Sequence, residues 1–328
     1  MKTLIKKTTL AVSVIATGTI LAIVAQPVLA QSYPDRPIKM VVPYPPGGVS
    51  DTASRLIARA LESKLNTSVV VENKSGAASS VASTYVANQK PDGYTIYAAP
   101  VSLVINPALQ GNVGYKPFED FTPISMMMTS AFVLQTNPSI KADSVEALMG
   151  LIKANPGKYA IGTSGMGSIN HLTAEYFTRQ YGLDMLVVHY KGGMPAAQDL
   201  LGGQIGMMFS AVREALPLME SKKTNGLAIT STQRYDILPK IPTMDQATGS
   251  KNFEAIFWLA LMAPGGLDKS IQTRLSEVMV EIGKDPKLRK EMETLGINLV
   301  TSTPDVVTAN LKKDQAKWTS LLKEIKLN

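Results

Sequence analysis

The chain has 328 residues, of which 45% are hydrophobic and 18% are charged. This balance is typical of a globular protein with a substantial core, and the length allows two domains. The absence of cysteine excludes disulfides, thiolate chemistry and a lipid anchor on an N-terminal cysteine. The net charge of +7 is spread along the chain, and an acid interrupts its densest basic cluster, 284–290, so no nucleic-acid partner is indicated.

The first 30 residues have the order of a secretory signal peptide. Three lysines form a basic start, residues 10–25 are apolar and uncharged, and small residues follow Pro27. We predict cleavage after Ala30 and a periplasmic, exported protein. An uncleaved membrane anchor is the alternative, but the apolar run is short for a span of about 20 residues.

The mature chain begins with alternating strand and helix patterns. Short apolar or β-branched runs predict strands, and apolar residues at helical spacing predict the helices between them. The alternation predicts a parallel sheet with helices on its faces, where ligands bind at the carboxyl ends of the strands. The predicted strands are 38–42, 68–73 and 94–99, and the predicted helices are 52–65 and 77–88.

The first loop, residues 43–51, joins the first strand to the first helix and reads Pro-Tyr-Pro-Pro-Gly-Gly-Val-Ser-Asp. A helix start favours an anion, and the paired glycines Gly47 and Gly48 allow an anion to approach the backbone closely. Ser50 or Asp51 is predicted to cap the helix. The alternative is an ordinary strand-to-helix turn.

The second half of the chain forms a second predicted α/β unit and repeats this pattern. A strand (159–162) leads into the second loop, residues 163–168, which reads Thr-Ser-Gly-Met-Gly-Ser and precedes a helix (169–181). Two long apolar runs, 124–135 and 253–263, predict strands that cross between the units. Further predicted elements are helices 144–154, 196–201, 270–282, 286–295 and 304–325, and strands 186–190, 205–209 and 226–230.

Enzymatic sites are poorly supported by the residue patterns. His171 and Glu175 stand one helical turn apart, which is more typical of a surface pair than of a metal site. Ser164 lacks the glycine pattern of a hydrolase nucleophile, and the second loop lacks the third glycine of a dinucleotide fingerprint. We predict no catalytic residue, metal or cofactor, and an exported hydrolase using Ser164 or Ser168 is the enzymatic alternative.

Several short motifs recur in order through nearly the whole mature chain and resemble one family, the solute-binding receptors of tripartite tricarboxylate transporters, also called the Bug family. The resemblance implies an α/β fold of the two-lobed periplasmic binding protein class (type II-like). Each lobe would have a mainly parallel sheet flanked by helices, and two crossing strands would join the lobes. The motifs are 33–38, 42–48 with Asp51, 70–77, 91–95, 106–107, 120–123, 164–168 with His171, 190–193, 199–204 and 239–243.

The resemblance also implies domains, function and partners. Residues 31–130 and 255–328 would form lobe 1, and residues 131–254 would form lobe 2. The expected protein is a monomeric receptor, not an enzyme, that captures a small mono-, di- or tricarboxylate between the lobes and delivers it to membrane subunits of the transporter. A ligand-binding component of a carboxylate-sensing signalling system is the alternative.

In that family, backbone amides and hydroxyls of two loops bind one carboxylate of the solute. Asp51 is expected to cap its helix rather than contact the anion, and His171 is expected either to contact the ligand or only to shape its loop. Ser210, where relatives often carry an acid or asparagine, favours a plain carboxylate over an amino acid. The implied contacts are Tyr44, Pro46, Gly48, Asp51, Thr163, Ser164, Gly167, Ser168 and His171, with Ser79, Ser102 and Ser210 at the far end of the ligand.

Overall fold

The computed structural model describes residues 33–324, so the predicted signal peptide and its cleavage site lie outside the described residues. Within this part of the chain, no helix is long and apolar enough to cross a membrane. The strands are β1 (Ile38–Val42), β2 (Val69–Asn73), β3 (Thr95–Pro100), β4 (Phe121–Thr136), β5 (Ala160–Thr163), β6 (Leu186–His189), β7 (Met207–Ala211), β8 (Asn225–Ile229), β9 (Ile256–Pro264) and β10 (Asn298–Leu299).

Helices follow most of these strands. The helices are α1 (Val49–Leu65), α2 (Ser80–Ala87), α3 (Ser102–Gln110), α4 (Val145–Ala154), α5 (Ile169–Gln180), α6 (Gly193–Leu201), α7 (Val212–Glu220), α8 (Met244–Thr248), α9 (Lys269–Gly283), α10 (Pro286–Glu293) and α11 (Pro304–Glu324), and a 3-10 helix spans Ala77–Ser79.

The strands form one hydrogen-bonded sheet in the order β2-β1-β3-β9-β4-β7-β5-β6, with β8 and β10 also paired to β4. The long strand β4 belongs to both lobes. Its residues up to Ala131 pair with β9, and its last five residues, from Phe132 on, pair with β7. The predicted crossing role of this run is therefore confirmed, whereas the exact lobe limits remain a prediction.

The two parallel parts of the sheet carry the strand-to-helix loops. In lobe 1, β1 pairs in parallel with β2 and β3. In lobe 2, β5 pairs in parallel with β6 and β7. Four of the five residues of β1 are buried because neighbours cover both faces of this central strand. Helix α1 packs beside it through apolar residues at helical spacing, including Ala53, Ile57 and Leu61.

Each lobe has a set of parallel strands flanked by helices, as expected, and the two crossing strands make the sheet as a whole mixed. β9 is antiparallel to β3 and β4, and β4 is antiparallel to β7 and β8. The physical reason is the chain path. β4 carries the chain from lobe 1 to lobe 2 and β9 brings it back, so two adjacent crossing strands must run in opposite directions.

The predicted helices also differ from the structure at several points. The short helix α8 was not predicted, and neither were α3 and α7, which each contain an internal proline, Pro107 and Pro217. Proline removes a backbone donor and usually ends a helix, so local sequence argues against both. Helix α1 begins at Val49 rather than Thr52, and the helix predicted from Ala77 starts as a 3-10 turn with left-handed residues before α2.

Candidate functional site

A cavity lies where the first turns of four helices meet. The starts of α1, α5, α6 and α7 contribute to its wall, together with one residue each from β4 and β9. First-turn amides have no intrahelical partner and carry partial positive charge, so their convergence favours a bound anion. The lining residues are Tyr44, Pro45, Gly48, Val49, Ser50, Phe132, Ser164, Ile169, Asn170, Gly193, Met194, Ala211, Glu214 and Phe257.

The first loop leaves the start of α1 without a side-chain cap. The predicted capping by Ser50 or Asp51 is wrong, because the N-cap residue is Gly48 and the first helical bond joins the Thr52 amide to the Gly48 carbonyl at 3.0 Å. Ser50 and Asp51 therefore already lie in the first turn. Gly48, Val49 and Ser50, at the start of this helix, line the cavity.

Asp51 points away from the cavity and holds the loop from behind. Its carboxylate accepts hydrogen bonds from the Gly47 amide at 3.0 Å and from Asn73 at 2.9 Å, and it pairs with Arg55 at 2.9 Å. Burial acts to raise the pKa of Asp51, but the bonds from Arg55, Gly47 and Asn73 outweigh it and lower the pKa. The carboxylate therefore stays ionised and fixes the loop.

A buried chain of hydroxyls positions Tyr44 at the cavity wall. Its hydroxyl lies 3.4 Å from the Ser102 hydroxyl, which in turn lies 2.8 Å from that of Ser79. Burial raises the pKa of Tyr44 to about 12, against the opposite effect of the Ser102 hydrogen bond, so the phenol stays neutral. Ser79 and Ser102 are fully buried behind Tyr44 and do not line the cavity.

The second loop is held by Asn170, in the first turn of α5. Its side-chain oxygen accepts hydrogen bonds from the Ser164 amide at 3.1 Å, the Ser164 hydroxyl at 2.8 Å and the Ser168 hydroxyl at 2.6 Å. Ser168 is also the N-cap of α5, since its hydroxyl accepts a bond from the His171 amide. One amide side chain therefore fixes both ends of the loop.

Two histidines support the second loop from outside the cavity. His171 accepts a hydrogen bond from the Gly167 amide at 3.1 Å through Nδ1, and its Nε2 lies 3.7 Å from Glu175. His189 Nδ1 lies 2.7 Å from the Thr163 hydroxyl, and the two imidazole rings meet edge to face at 4.7 Å. Burial, followed by the charge of His171, lowers the pKa of His189.

The lobes approach each other closely at two glycines of lobe 2. A Cβ atom at Gly167 would lie 2.3 Å from Oδ1 of Asn106, and one at Gly192 would lie 2.9 Å from Pro45. Asn106 cannot move aside easily, because its amide donates to the Ala78 carbonyl and the Ser80 hydroxyl, both at 2.9 Å. The second loop thus closes against a rigid part of lobe 1.

Comparison with known proteins agrees with the cavity in indicating a solute-binding receptor. A family model described as "Tripartite tricarboxylate transporter family receptor" (TctC) matches residues 53–327. The chain belongs to this TctC receptor family. Protein BugT of Bordetella pertussis is 35% identical over 303 residues, which cover 92% of this chain and 93% of BugT. The family resemblance drawn from the sequence motifs is confirmed.

Solved structures of TctC receptors share the fold. The periplasmic binding protein BugD is 32% identical, with a TM-score of 0.85 over 89% of this chain and 98% of BugD. Rpa4515 of R. palustris with adipate is 28% identical, with a TM-score of 0.86 over 89% of this chain and 97% of Rpa4515. The predicted two-lobed binding-protein fold is confirmed, and so is the prediction of a periplasmic solute-binding receptor rather than an enzyme.

The receptor cavity brings together only some of the residues predicted from the motifs. Tyr44, Gly48 and Ser164 line it. Pro46 is exposed and Pro45 lines the cavity in its place, while Ser210 is buried off the cavity wall with its hydroxyl unpaired. The remaining predicted residues do not line the cavity: Thr163, Gly167 and Ser168 belong to the second loop itself, and the others support the loops or Tyr44 from behind, namely Asp51, Ser79, Ser102 and His171.

Three kinds of cavity residue were missed from the sequence. Asn170 follows a hydroxyl-rich loop at a helix start, a pattern that points to a local hydrogen-bonding role. Phe132 and Phe257 come from the two crossing strands, where apolar residues predict only a core. Glu214 lies on α7, the helix that Pro217 conceals, and no local signal marks it as a cavity residue.

Glu214 is half-buried and belongs to the first turn of α7. Its side chain reaches the start of α1. Its Oε1 accepts a hydrogen bond from the Val49 amide at 3.4 Å. Burial raises the pKa of Glu214 to about 7, although the Val49 amide and Arg213 act to lower it. At neutral pH this carboxyl therefore exists in both protonation states, and its ionised form can interact with whatever occupies the cavity.

Proposed function

We propose that this receptor captures a small carboxylate in the cavity and delivers it to the membrane subunits of a tripartite tricarboxylate transporter. The convergence of four helix N-termini on one cavity carries the proposal. Adipate in the Rpa4515 structure adds support, because it is a dicarboxylate found with a protein of the same fold and 28% sequence identity.

The carboxylate would bind through backbone amides rather than through a basic side chain. Ser50, Ile169 and Asn170 line the cavity in the first turns of α1 and α5, where amides have no intrahelical partner. Among the cavity residues that the structure describes there is no lysine, arginine or histidine. We propose Tyr44, Gly48 and Ser164 as direct ligand contacts, with Asn170 holding the donors in place.

A thermal-shift panel of carboxylates tests ligand capture. Adipate, malate, succinate, citrate, acetate, aspartate and glycine betaine would each be added to the mature receptor. Binding to the native state at about 100 times the Kd stabilises it by about 2.7 kcal/mol, which raises the melting temperature by about 5 °C or more. If no carboxylate raises the melting temperature, the proposed ligand class is wrong.

A glycine substitution locates the site. In Gly48→Val the side chain would enter the cavity, because a Cβ atom there already lies 3.1 Å from Oε1 of Glu214, and the φ of −76° is ordinary for any residue. We expect lost binding at nearly unchanged stability. Gly150→Val is the matched control, since a Cβ atom at Gly150 meets nothing within 4 Å. Equal affinities of both variants would place the carboxylate elsewhere.

Uptake of the radiolabelled ligand by cells that lack this receptor distinguishes transport from sensing. Restored uptake on complementation supports delivery to a transporter, whereas unchanged uptake with an altered transcriptional response favours the signalling alternative.

We also propose export with cleavage after Ala30, a monomeric state, and lobe limits at 31–130 with 255–328 and at 131–254. N-terminal sequencing that begins at Gln31 and gel filtration test the first two.

A further inference from the structure

One side chain dominates the electrostatics of the cavity. Among the residues that line it, Glu214 is the only one that carries a charge near neutral pH. It lies at the junction of the helix starts, since Cβ atoms at Gly48 and Gly193 would lie 3.1 Å and 2.4 Å from its two carboxylate oxygens. A plain dicarboxylate in this cavity would therefore face a negative side chain at close range.

The carboxylate of Glu214 has unused hydrogen-bonding capacity. An ionised carboxylate offers about four acceptor positions, and within the described part of the chain Glu214 uses one of them, in the long bond from the Val49 amide. Its Oε2 faces Gly193, which has no side chain to donate a bond. A donor from the ligand would satisfy the remaining positions.

Aromatic rings complete the wall of the cavity. Phe257 lies 6.2 Å from the Tyr44 ring and 6.4 Å from the Phe132 ring, measured between centroids, and all three residues line the cavity. Aromatic faces attract cations within about 6 Å of the ring centroid, especially where water is excluded. Rings and a carboxylate in one cavity, without a basic side chain, form an environment that suits a cation and disfavours a second anion.

The groups that face Glu214 reinforce this preference. Helices α1 and α6 present backbone to it, at Val49, Gly48 and Gly193, and the Tyr44 phenol on the cavity wall is neutral. Arg213, its neighbour in α7, acts on it only through its charge. An ammonium group from the ligand would therefore give this carboxylate a positive partner inside the cavity.

We propose that the solute of this receptor carries an ammonium group, primary or quaternary, beside its carboxylate, and that Glu214 and the rings of Tyr44, Phe132 and Phe257 bind that ammonium group. This rests on the proposed carboxylate-binding function and narrows it to zwitterionic solutes such as amino acids and betaines. The uncharged Ser210 then no longer argues against an amino acid, because Glu214 supplies the acid from the following helix.

Titration calorimetry with matched ligand pairs tests the proposal. Glycine betaine and 3,3-dimethylbutanoate have the same shape and differ in the charged nitrogen, while aspartate and succinate, or 4-aminobutanoate and butanoate, differ in the amino group. At pH 8 we expect the ammonium-bearing member of at least one pair to bind about tenfold or more tightly. The pair that shows the preference identifies a quaternary or a primary ammonium group.

Glu214→Gln tests the residue itself. We expect it to weaken binding of the ammonium-bearing member about tenfold or more and to leave its neutral partner unchanged or tighter. Glu220→Gln, at the exposed end of the same helix, is the matched control and should change neither affinity. Phe257→Leu should weaken glycine betaine severalfold and keeps the proposal testable should Glu214→Gln fold poorly.

The pH dependence adds a readout with opposite signs for the two ligand classes. Because only the ionised form of Glu214 attracts an ammonium group, affinity for a zwitterion should rise between pH 6 and pH 8, and Glu214→Gln should remove the rise. Two results would overturn this inference but not the proposed function. In one, each neutral-tailed carboxylate binds as tightly as its ammonium-bearing partner. In the other, Glu214→Gln raises the affinity for the neutral-tailed carboxylate by a larger factor than it lowers the affinity for the zwitterion. If no carboxylate of either class binds, the proposed function fails with it.

Discussion

The two loops that flank the cavity have the same strand-to-helix layout but use their polar groups differently. In the first loop, the start of α1 has no side-chain cap, and Asp51 holds the loop from behind. In the second loop, Ser168 caps α5, and Asn170 accepts three bonds from Ser164 and Ser168. The first loop has no side-chain cap of its own and is met by Glu214 from α7, whereas the second loop is a frame of internal hydrogen bonds.

This difference separates the effects of substitutions on affinity from their effects on stability. Side chains of the first loop make few bonds that face the cavity, so changes there should act on the ligand. Side chains of the second loop satisfy buried groups, and an unsatisfied buried donor costs about 1–3 kcal/mol. Changes in the second loop should therefore reduce the stability of the receptor together with its affinity.

Among changes in the second loop, Gly167→Ala should have the largest effect on affinity. Its φ of +84° is costly for alanine, and the new Cβ would meet the hydrogen-bonded Asn106 side chain of lobe 1. Overpacking of about 1–3 kcal/mol against the closed form predicts a loss of roughly 5- to 150-fold in affinity. Titration calorimetry with the tightest-binding carboxylate measures it.

Gly182→Ala is the matched control for this loss. Gly182 has a similar left-handed φ of +60°, but a Cβ atom there meets nothing within 4 Å. It should reduce stability by about 1 kcal/mol and leave affinity unchanged. An unchanged affinity of Gly167→Ala would show that the second loop does not close against Asn106 around the ligand.

Asn170→Ala should have the largest effect on stability. It leaves the Ser164 amide and hydroxyl without their acceptor and removes one bond of the Ser168 hydroxyl, which keeps the Gly165 carbonyl, so we expect a loss of about 2 kcal/mol and a fall in melting temperature of about 4–8 °C. Asn170→Asp keeps the acceptor and should retain most of the stability while it weakens an anionic ligand. If Asn170→Ala and the wild type have equal melting temperatures, Asn170 does not hold the second loop in place.

Ser168→Ala should have a moderate effect on both ligand affinity and stability. Loss of the helix cap costs about 1 kcal/mol, and the loop loses its bonds to the Gly165 carbonyl and to Asn170. Ser144→Ala removes the N-cap of α4, away from the cavity, and should cost the same stability without loss of affinity. If both variants bind as the wild type does, the second loop is not coupled to the ligand.

The pH response of His189 is the smallest expected effect. Its pKa is lower in the folded state than in the unfolded state, so the unfolded chain binds protons more readily as pH falls below about 6.5. The free energy of unfolding should therefore decrease from pH 7 toward pH 5. His189→Asn offers Thr163 an acceptor that does not titrate, and urea titrations should show a shallower decrease. If the variant and the wild type lose stability equally between pH 7 and pH 5, the pH dependence comes from groups other than His189.

Local sequence determined the elements that carry the loops. The β-branched runs and helical spacing around 38–65 and 159–181 predicted β1, α1, β5 and α5, because side-chain periodicity is a property of neighbouring residues. Glycine, proline and hydroxyl residues marked both loops for the same reason. The family motifs added the two-lobed fold, which the comparisons confirm.

Tertiary structure alone decided which residues line the cavity. Helix α7 persists despite Pro217, because packing of its buried residues outweighs one lost backbone bond, and this places Glu214 beside Val49, 165 residues away in the chain. Asn106 meets Gly167 only when the lobes come together. Such contacts depend on the order of strands in the sheet, which no local pattern encodes, so the sequence marked the two loops of the proposed anion site but not the acid beside them.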